Sequence, residues 1–353
     1  MRFSAARDKR FLGALPLVAV AFLATACGTS APRALVAIGA GLKGPPELEA
    51  TVYATGLAHA SAFAFDARGR LWVTTSGANT HGSDGIYVVT KAGARPVRVV
   101  SGPKGPLGLV WLGKELIVSS LGRVTAYSGL HGNRFGAQKT ILAGPHGGGE
   151  NNNLVLAPDG RLLMGVSASC DHCVPPAKWS GAIVSFKPDG SDLRLYAGRI
   201  RAPFGLAFYP GTRDLLVSMN QRDDLGVATP GDWLTVVRRG ESWGFPGCYG
   251  QGGTACAGAP TPTAVLGKHA AAGGIAVLTT ELGGRDRGSA LVAEWQLGKV
   301  LRVALRHSGS RYSGKVSTFL TGITSPLPVA TTADGAVLVG DWTSGTIYRI
   351  AAA

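Results

Sequence analysis

Charged residues are scarce in this sequence of 353 residues. Aspartate, glutamate, lysine and arginine together make up only 16% of the chain, whereas hydrophobic residues make up 45%. A chain with this composition can bury a sizeable core, which argues against intrinsic disorder. Its length allows one large domain or two domains of ordinary size.

The sequence also lacks the periodicity of a coiled coil or of a helical repeat. It contains 52 glycines and 20 prolines instead, which is about a fifth of the chain. Inside a helix, glycine costs about 1 kcal/mol and proline about 3 kcal/mol relative to alanine. The composition therefore predicts a turn-rich β fold and excludes a mainly helical protein.

Clusters of basic residues are missing too, although the formal net charge is +14. Lysines and arginines are scattered, with no run of four or more and no aromatic residues interleaved among them. Nucleic-acid binding proteins concentrate their positive charge on one face or along one helix. We therefore predict no nucleic-acid partner, and the excess positive charge suits a surface that faces an anionic wall or membrane.

The N-terminal apolar run, from Phe11 to Leu23, is too short to span a bilayer comfortably, and Pro16 interrupts it. Basic residues precede the run and small residues follow it up to Cys27, as in a bacterial export signal. The small residues resemble a lipobox, so we predict a signal peptide over 1–26, a lipid-attached tether over 27–46 and a folded domain over 47–353. The protein would then be a lipoprotein of the cell envelope, anchored to the membrane through Cys27. Ordinary cleavage followed by secretion is the alternative.

Cysteine is rare, with five residues in the chain. If Cys27 carries lipid, Cys170, Cys173, Cys248 and Cys256 remain, and an even number in an oxidising compartment predicts two disulfides. Three pairings are possible, and we favour the local one, 170–173 with 248–256. A zinc site is disfavoured because the second pair lacks zinc-knuckle spacing, and a thioredoxin-like site would need a βαβ context.

An internal repeat is the most informative feature of the sequence. An apolar strand (A), a tight polar turn and a second apolar strand (B) recur six times, at 61–75, 107–119, 153–166, 204–218, 274–294 and 327–340. The turns contain dipeptides such as Asp-Gly, Arg-Gly and Gly-Lys, which are typical of tight hairpins. A third apolar strand (C) follows each hairpin, and a fourth strand (D) ending in glycine follows in most repeats.

Six repeats of four strands predict an all-β fold, namely a six-bladed β-propeller. The last repeat has no D strand of its own, whereas the segment VYATG at 52–56 precedes the first A strand. We predict that this N-terminal strand completes the last blade and closes the ring, which removes a free sheet edge. Two β-sandwich domains are the alternative, but they do not explain six similar hairpins. We expect a monomer.

The long loops of the repeats are predicted to share one face. In an up-and-down blade, the B–C loops and the D–A connections lie on the same side of the ring. The long segments of these types are 76–85, 144–153, 167–181, 219–231 and 267–274. Variable loops on one rim of a rigid scaffold mark a ligand-binding mouth.

Three segments of the fourth repeat carry a family resemblance: 201–208 (RAPFGLAF), 219–225 (MNQRDDL) and 241–249 (ESWGFPGCY). Together with the CxxC loop at 169–173 and the closing segment 340–350, they resemble the sorbosone-dehydrogenase-like branch of the glucose/sorbosone dehydrogenases. The resemblance covers roughly residues 48–350. It implies a propeller that uses pyrroloquinoline quinone (PQQ) and Ca²⁺ to oxidise the CH–OH group of a sugar or polyol.

The resemblance also implies where the cofactor and the metal ion would bind. Arg201 matches the family arginine that contacts the carboxylates of the quinone, and a guanidinium suits a carboxylate. Main-chain carbonyls of Gln221 and Arg222, with the carboxylate of Asp232, match the family's calcium loop. His269 fits the pattern of the branch at the start of the fifth repeat.

Two family positions are occupied by different residue types. The family's catalytic base is a histidine at the start of the third repeat, and that position falls here on Gly149 or Glu150. We therefore predict that Glu150, with a pKa raised by burial, or the nearby His146 acts as the base. Gln296 stands near the position where the family has a cationic residue beside the quinone.

Three functions remain open from the sequence. The first is oxidation of a small sugar or polyol by an exported quinoprotein. The second is a non-catalytic, lipid-anchored propeller that binds a glycan or a partner protein. The third is a calcium-dependent, lactonase-like hydrolase, which would need oxygen ligands near the channel axis, where Asn151, Asn152 and Asn153 begin an A strand.

Overall fold

The computed structural model describes residues 34–77, 84–144, 149–175, 177–249, 254–284 and 286–353. The predicted signal peptide, Cys27 and His146 lie outside these ranges. The described residues form β-strands and two short 3-10 turns, Gly226–Ala228 and Thr254–Cys256. Within them, no helix has the length and apolar character needed to cross a membrane.

Six antiparallel sheets form the six predicted blades, so the predicted fold is confirmed. Three strands precede the first repeat: β1 (Val36–Gly39), β2 (Leu42–Gly44) and β3 (Leu48–Ala54). Blade 1 consists of β4 (Ala60–Phe65), β5 (Leu71–Thr75), β6 (Gly85–Val89) and β7 (Val97–Ser101). Blade 2 consists of β8 (Gly108–Leu112), β9 (Glu115–Ser120), β10 (Arg123–His131) and β11 (Arg134–Ala143). Blade 3 consists of β12 (Asn151–Leu156), β13 (Leu162–Val166), β14 (Ala182–Phe186) and β15 (Arg194–Gly198).

The second half of the chain repeats the same order of strands. Blade 4 consists of β16 (Ala202–Phe208), β17 (Leu215–Asn220), β18 (Gly231–Val237) and β19 (Ala264–Lys268). Blade 5 consists of β20 (Ala272–Val277), β21 (Ala290–Glu294), β22 (Lys299–Ser308) and β23 (Arg311–Thr321). Blade 6 consists of β24 (Pro326–Thr331), β25 (Val337–Asp341) and β26 (Ile347–Ala352), with β3 as its fourth strand.

The ring closes as the sequence predicts. Strand β3 pairs antiparallel with β26, from Leu48 opposite Ala352 to Ala54 opposite Ile347. The N-terminal strand thus occupies the outer edge of the C-terminal blade, and the two ends of the propeller are held in one sheet.

The predicted tether is wrong in its second half, because β1 and β2 belong to the fold. They form a hairpin at the outer edge of blade 5, where Lys43 pairs with Thr321 of β23. Ile38 and Leu42 are buried in a cluster with Phe319 and Leu320. The small residues of this segment suggested a linker, but its apolar side chains cover the edge of the core.

The core consists of six buried clusters, one between each pair of adjacent blades. Between blades 1 and 2, for example, Trp72 packs edge-on against Trp111, with their ring centroids 5.1 Å apart. Full burial of a large apolar side chain contributes about 1.5–3 kcal/mol. These interfaces fix the blades around one axis and hold the loops of the mouth at defined positions.

Candidate functional site

A cavity of about 420 Å³ opens on the face that carries the B–C loops and the D–A connections. A second lobe of about 310 Å³ adjoins it, and the two share Glu150, Phe204, Asn220 and Ala271. Because every blade contributes to the walls, the cavity lies at the channel axis. One wall residue from each blade, in chain order, is Ser76, Leu107, Glu150, Asn220, Trp295 and Trp342. This arrangement confirms the predicted mouth.

The guanidinium of Arg201 lies in the larger lobe, immediately before β16. Its Nη1 donates to the main-chain oxygen of Asn220 at 3.1 Å, and its Nη2 forms an ion pair with the carboxylate of Asp171. Its Nε is buried and has no partner among the described residues. The Arg201 charge is therefore partly neutralised, while one donor remains available.

Asp171 lies inside the four-residue loop that the Cys170–Cys173 disulfide closes. Cys248 and Cys256 form the second disulfide, so the favoured local pairing is confirmed. The first disulfide loop thus supplies the acidic partner of Arg201. Sequence reasoning missed Asp171, because nothing in the CxxC spacing indicates which blade the loop faces.

Glu150 lines both lobes from its position directly before β12. Its main-chain oxygen accepts a hydrogen bond from Ser167 N at 2.9 Å. The backbones are so close here that a Cβ on Gly149 would lie 2.1 Å from the Ser167 oxygen, which explains the glycine. The Glu150 side chain faces the cavity, and among the described residues no hydrogen bond or ion pair engages its carboxyl. The surrounding protein desolvates this carboxyl and raises its pKa, and the charge of Arg201 opposes the shift.

Asp232, at the start of β18, ties two loops of the rim together. Its Oδ1 accepts from Gln221 N at 2.8 Å, and its Oδ2 accepts from Ala272 N, in the next blade, at 2.9 Å. Burial raises the pKa of Asp232 to about 6, against the effect of these two hydrogen bonds. In blade 1, Asp84 makes the equivalent pair of contacts, with Gly77 N at 2.8 Å and Gly105 N at 2.9 Å. The position of Asp232 is therefore explained by its structural role.

The smaller lobe has an apolar wall that the sequence did not predict. Phe204, Trp295 and Trp342 line it, and the two tryptophan rings meet edge to face with centroids 5.5 Å apart. Trp342 Nε1 donates to Ser76 O at 2.9 Å, which fixes the ring. Each tryptophan directly follows a B strand, and that shared position was a usable signal.

No protein-family model matches the chain, and no curated protein matches it. Solved structures do match. One is a putative oxidoreductase (glucose dehydrogenase) from Thermus thermophilus, with 20% identity over 86% of this chain and 99% of that chain and a TM-score of 0.68. The PQQ-bound aldose sugar dehydrogenase from Streptomyces coelicolor has 19% identity over 87% and 99%, with a TM-score of 0.67. The pyranose dehydrogenase PQQ domain from Coprinopsis cinerea has 17% identity over 88% and 97%, with a TM-score of 0.70.

The chain shares its fold with these dehydrogenases. At this level of identity the likeness extends to the whole propeller but not to individual residues of the site. The chemistry of the mouth therefore has to be argued from this chain's own side chains.

The predicted site residues lie at different distances from the cavity. Arg201, Glu150 and Asp232 line the larger lobe together. His269 lies outside the described walls, where its Nδ1 is 2.8 Å from Asp223 Oδ1 and its Nε2 is 3.2 Å from Gly226 O. Gln296 is exposed on the loop after β21, and its neighbour Trp295 reaches the cavity instead.

The asparagines considered for the hydrolase are used in the scaffold. The Asn151 amide donates to Ser120 O at 2.9 Å, and the Asn152 amide donates to Ser167 Oγ at 2.8 Å and to Pro203 O at 2.7 Å. Both side chains are buried, and neither lines the cavity. These contacts join blade 3 to blades 2 and 4 through the amide nitrogens, whereas the side-chain oxygens of Asn151 and Asn152 are buried and have no partner among the described residues.

Proposed function

We propose that this propeller is an exported oxidoreductase that oxidises the CH–OH group of a sugar or polyol, with PQQ and Ca²⁺ at its mouth. One observation carries the proposal: a single axial cavity combines a guanidinium, an unpaired carboxyl with a raised pKa and an aromatic wall. The solved structures that share the fold include PQQ-bound and PQQ-domain sugar dehydrogenases, which supports the same assignment.

The walls of the cavity fit a planar quinone that carries carboxylates. Arg201 has a buried Nε without a partner among the described residues, and a carboxylate is the acceptor that matches it best. Phe204, Trp295 and Trp342 supply apolar surfaces against which a flat ring can pack. Arg201 would bind the charged edge, and the aromatic residues would contact the ring.

The fit to calcium rests on fewer groups. Among the described residues, no three His, Cys, Asp or Glu side chains converge as metal ligands do. Asp223 and Asp232 line the cavity beside Asn220, whose Oδ1 is buried and without a partner in the described part of the chain. Oxygen ligands of this kind suit a hard cation, and the Gln221 and Arg222 carbonyls would complete the predicted set.

Glu150 is the base in this proposal. When bound, PQQ supplies the acceptor for the hydride that leaves the substrate carbon. The Glu150 carboxylate takes the proton of the substrate hydroxyl, so that two electrons and two protons leave the substrate as one hydride and one proton. A raised pKa brings this carboxyl closer to the working pH and makes it a stronger base than a glutamate with an ordinary pKa.

Reconstitution tests the assignment directly. The purified mature protein is loaded with PQQ and Ca²⁺, and reduction of a dye is followed with aldoses and polyols. We expect turnover that requires both additions, and Arg201→Gln should weaken PQQ binding. The control is Arg213→Gln, an exposed residue of the A–B turn on the opposite face. Absence of a quinone spectrum and of dye reduction would refute the oxidoreductase.

A binding protein without turnover is the second candidate, and the Arg201–Asp171 ion pair favours it. Asp171 already holds Nη2 of the guanidinium, which leaves fewer donors for the carboxylates of a quinone. Saturable binding of PQQ or of a glycan, without dye reduction by any aldose, would support this candidate over the enzyme.

The membrane anchor is part of the proposal and is tested separately. We propose that the protein is attached to the cell envelope as a monomer through lipid on Cys27. Cys27→Ser should move the protein from the membrane fraction to the soluble fraction, without changing dye reduction by the reconstituted protein. Equal fractionation of both forms would contradict the anchor.

A further inference from the structure

A second cavity lies on the flank of the propeller, between blades 1 and 2, and shares no described residue with the mouth. We call it the flank cavity, and its volume is about 230 Å³. Its walls carry hydroxyl and amide groups and one guanidinium, from Ser101, Arg123, Thr125, Tyr127, Gln138 and Thr140. None of its described wall residues is acidic.

The polar lining is a departure from the packing elsewhere in the same blade. Along β10, Val124 and Ala126 point into the apolar cluster with blade 3. The alternate residues Arg123, Thr125 and Tyr127 point toward blade 1, as the two-residue period of a strand requires. The surface toward blade 1 therefore carries three polar groups where a propeller normally buries apolar side chains.

The neighbouring strand extends this polar surface. Thr140 of β11 lies opposite Thr125, and Gln138 lies opposite Tyr127. Cross-strand partners share one face of the sheet, so the four side chains line the same wall. Such a ladder presents donors and acceptors at regular spacing.

Two hydroxyl groups in this wall have no protein partner in the part of the chain that the structure describes. Thr125 and Tyr127 are 8% and 5% exposed, and among the described residues neither hydroxyl makes a hydrogen bond. Neither hydroxyl oxygen belongs to the fully buried unpaired atoms, so both are open to the space of the cavity. Burial raises the pKa of Tyr127, which keeps its hydroxyl protonated and able to donate. Both hydroxyls are therefore free to bond to water or to a ligand in the cavity.

The charge of Arg123 is also uncompensated. Its side chain is exposed at the start of β10, and in the described part of the chain no carboxylate lies within ion-pair distance of it. One guanidinium balances one carboxylate, ideally through two parallel hydrogen bonds. Sulfate and phosphate would bring up to two negative charges against this single cation, and a neutral sugar would leave the cation unpaired.

We propose that the flank cavity binds a carboxylated sugar of the uronic acid class. Arg123 would hold the carboxylate, and the hydroxyl and amide groups of Thr125, Tyr127, Gln138 and Thr140 would bind the sugar hydroxyls. Hydroxyls donate and accept, so they match the mixed donors and acceptors of a sugar ring. The site is independent of the oxidation proposed for the mouth.

Calorimetric titration of the mature protein with D-glucuronate, D-glucose and sulfate tests the site. We expect D-glucuronate to bind, and Arg123→Gln to weaken binding about tenfold or more, since a hydrogen bond to a charged group is lost. Thr125→Val keeps the shape of the side chain and should weaken binding about threefold to tenfold. Arg134→Gln, an exposed residue at the tip of the same β10–β11 hairpin, should bind as wild type does.

Arg201→Gln separates this site from the mouth, because it should leave D-glucuronate binding unchanged. Melting temperatures close to that of wild type would show that the variants are folded. No D-glucuronate binding to wild type, or equal affinity of Arg123→Gln, would overturn the proposal. Sulfate or D-glucose binding as tightly as D-glucuronate would also overturn it, by showing a simple anion site or a neutral sugar site.

Discussion

Glu150 has the two properties that a base in this mouth needs, a free carboxyl and a raised pKa. Glu150→Gln removes the proton acceptor and keeps the shape, so we expect turnover of the reconstituted protein to fall by about 10²- to 10⁴-fold. A base must be ionised, and the pKa of Glu150 is raised, so kcat/KM should increase over a pH range above the one expected for a glutamate with an ordinary pKa. The rising limb should disappear in the variant.

Glu115→Gln is the matched control, because Glu115 is exposed at the start of β9 and lies outside the described walls of the mouth. Steady-state rates between pH 4 and pH 9 decide the assignment. If Glu150→Gln retained both the rate and the pH profile of wild type, another group would be the base.

Asp171 moderates the charge of Arg201. Asp171→Asn removes the negative partner, so the guanidinium should attract an anionic ligand more strongly. Both side chains are partly exposed, so we expect the Kd for PQQ to fall only about twofold to fivefold. Quenching of tryptophan fluorescence measures this binding. Asp189→Asn, in an exposed turn of blade 3, is the control, and an unchanged or higher Kd for Asp171→Asn would show that the ion pair does not limit binding.

Residues of the mouth can be predicted from the sequence only where a local sequence pattern indicates them. Arg201 and Glu150 each directly precede a recognisable strand, so both could be predicted. Asp171 meets Arg201 only because a disulfide loop folds across blade 3, and no local spacing contains that information. Trp295 could not be predicted in this way, because the family pattern points to Gln296, one residue beyond the position that faces the axis.

At the scale of single elements, the A–B hairpin of blade 1 depends on Asp66. Its carboxylate accepts hydrogen bonds from Arg68 N (2.9 Å), Arg70 N (3.1 Å), Arg70 Nε (2.7 Å) and Trp72 Nε1 (2.9 Å). Burial alone would raise the pKa of Asp66, but these hydrogen bonds outweigh it and lower the pKa. We expect Asp66→Ala to lower the free energy of unfolding by about 1–3 kcal/mol.

The lowered pKa also fixes the direction of the pH dependence. Ionised Asp66 stabilises the fold above the pKa of the unfolded chain, and this stabilisation is lost as the pH falls through the lower folded pKa. The difference in the free energy of unfolding between wild type and Asp66→Ala, measured in urea, should therefore decrease as the pH is lowered from about 5 to about 2. Asp159→Ala is the control, because Asp159 is exposed in the blade 3 turn and has only one hydrogen bond, from Arg161 N at 3.2 Å, and an exposed ion pair with Arg239 at 3.7 Å. A difference in the free energy of unfolding that stays constant with pH would contradict the role of the Asp66 carboxylate.

Strands and tight turns could be predicted well because each depends on a few consecutive residues. Apolar runs of strand length separated by Asp-Gly or Gly-Lys indicate hairpins whatever surrounds them. The hydrogen bonds between loops of the rim depend on neighbouring blades instead. Asp232 of blade 4, for example, accepts a hydrogen bond from Ala272 N of blade 5. Asp84 directly precedes the C strand of blade 1 and Asp232 lies at the start of the C strand of blade 4, yet their common role emerges only when neighbouring blades are side by side.

For the whole molecule, ring closure follows from the count of strands. Five repeats provide four strands and the sixth provides three, so a ring needs one more strand, and β3 supplies it. The β1–β2 hairpin is outside that count, because blade 5 already has four strands without it. The sequence therefore predicted the closing strand and gave no reason to add the hairpin, which was assigned to the tether.

Because the β1–β2 hairpin packs against the core, the N-terminal segment contributes to the stability of the whole propeller. Leu42 is 1% exposed and packs in the cluster of blades 5 and 6, so Leu42→Ala leaves a cavity there. We expect the free energy of unfolding to fall by about 2–4 kcal/mol. Val36→Ala, in the same hairpin but 41% exposed, should change it by no more than about 0.5 kcal/mol. Denaturant unfolding of both variants distinguishes a hairpin from a tether, because in a tether neither substitution would alter stability.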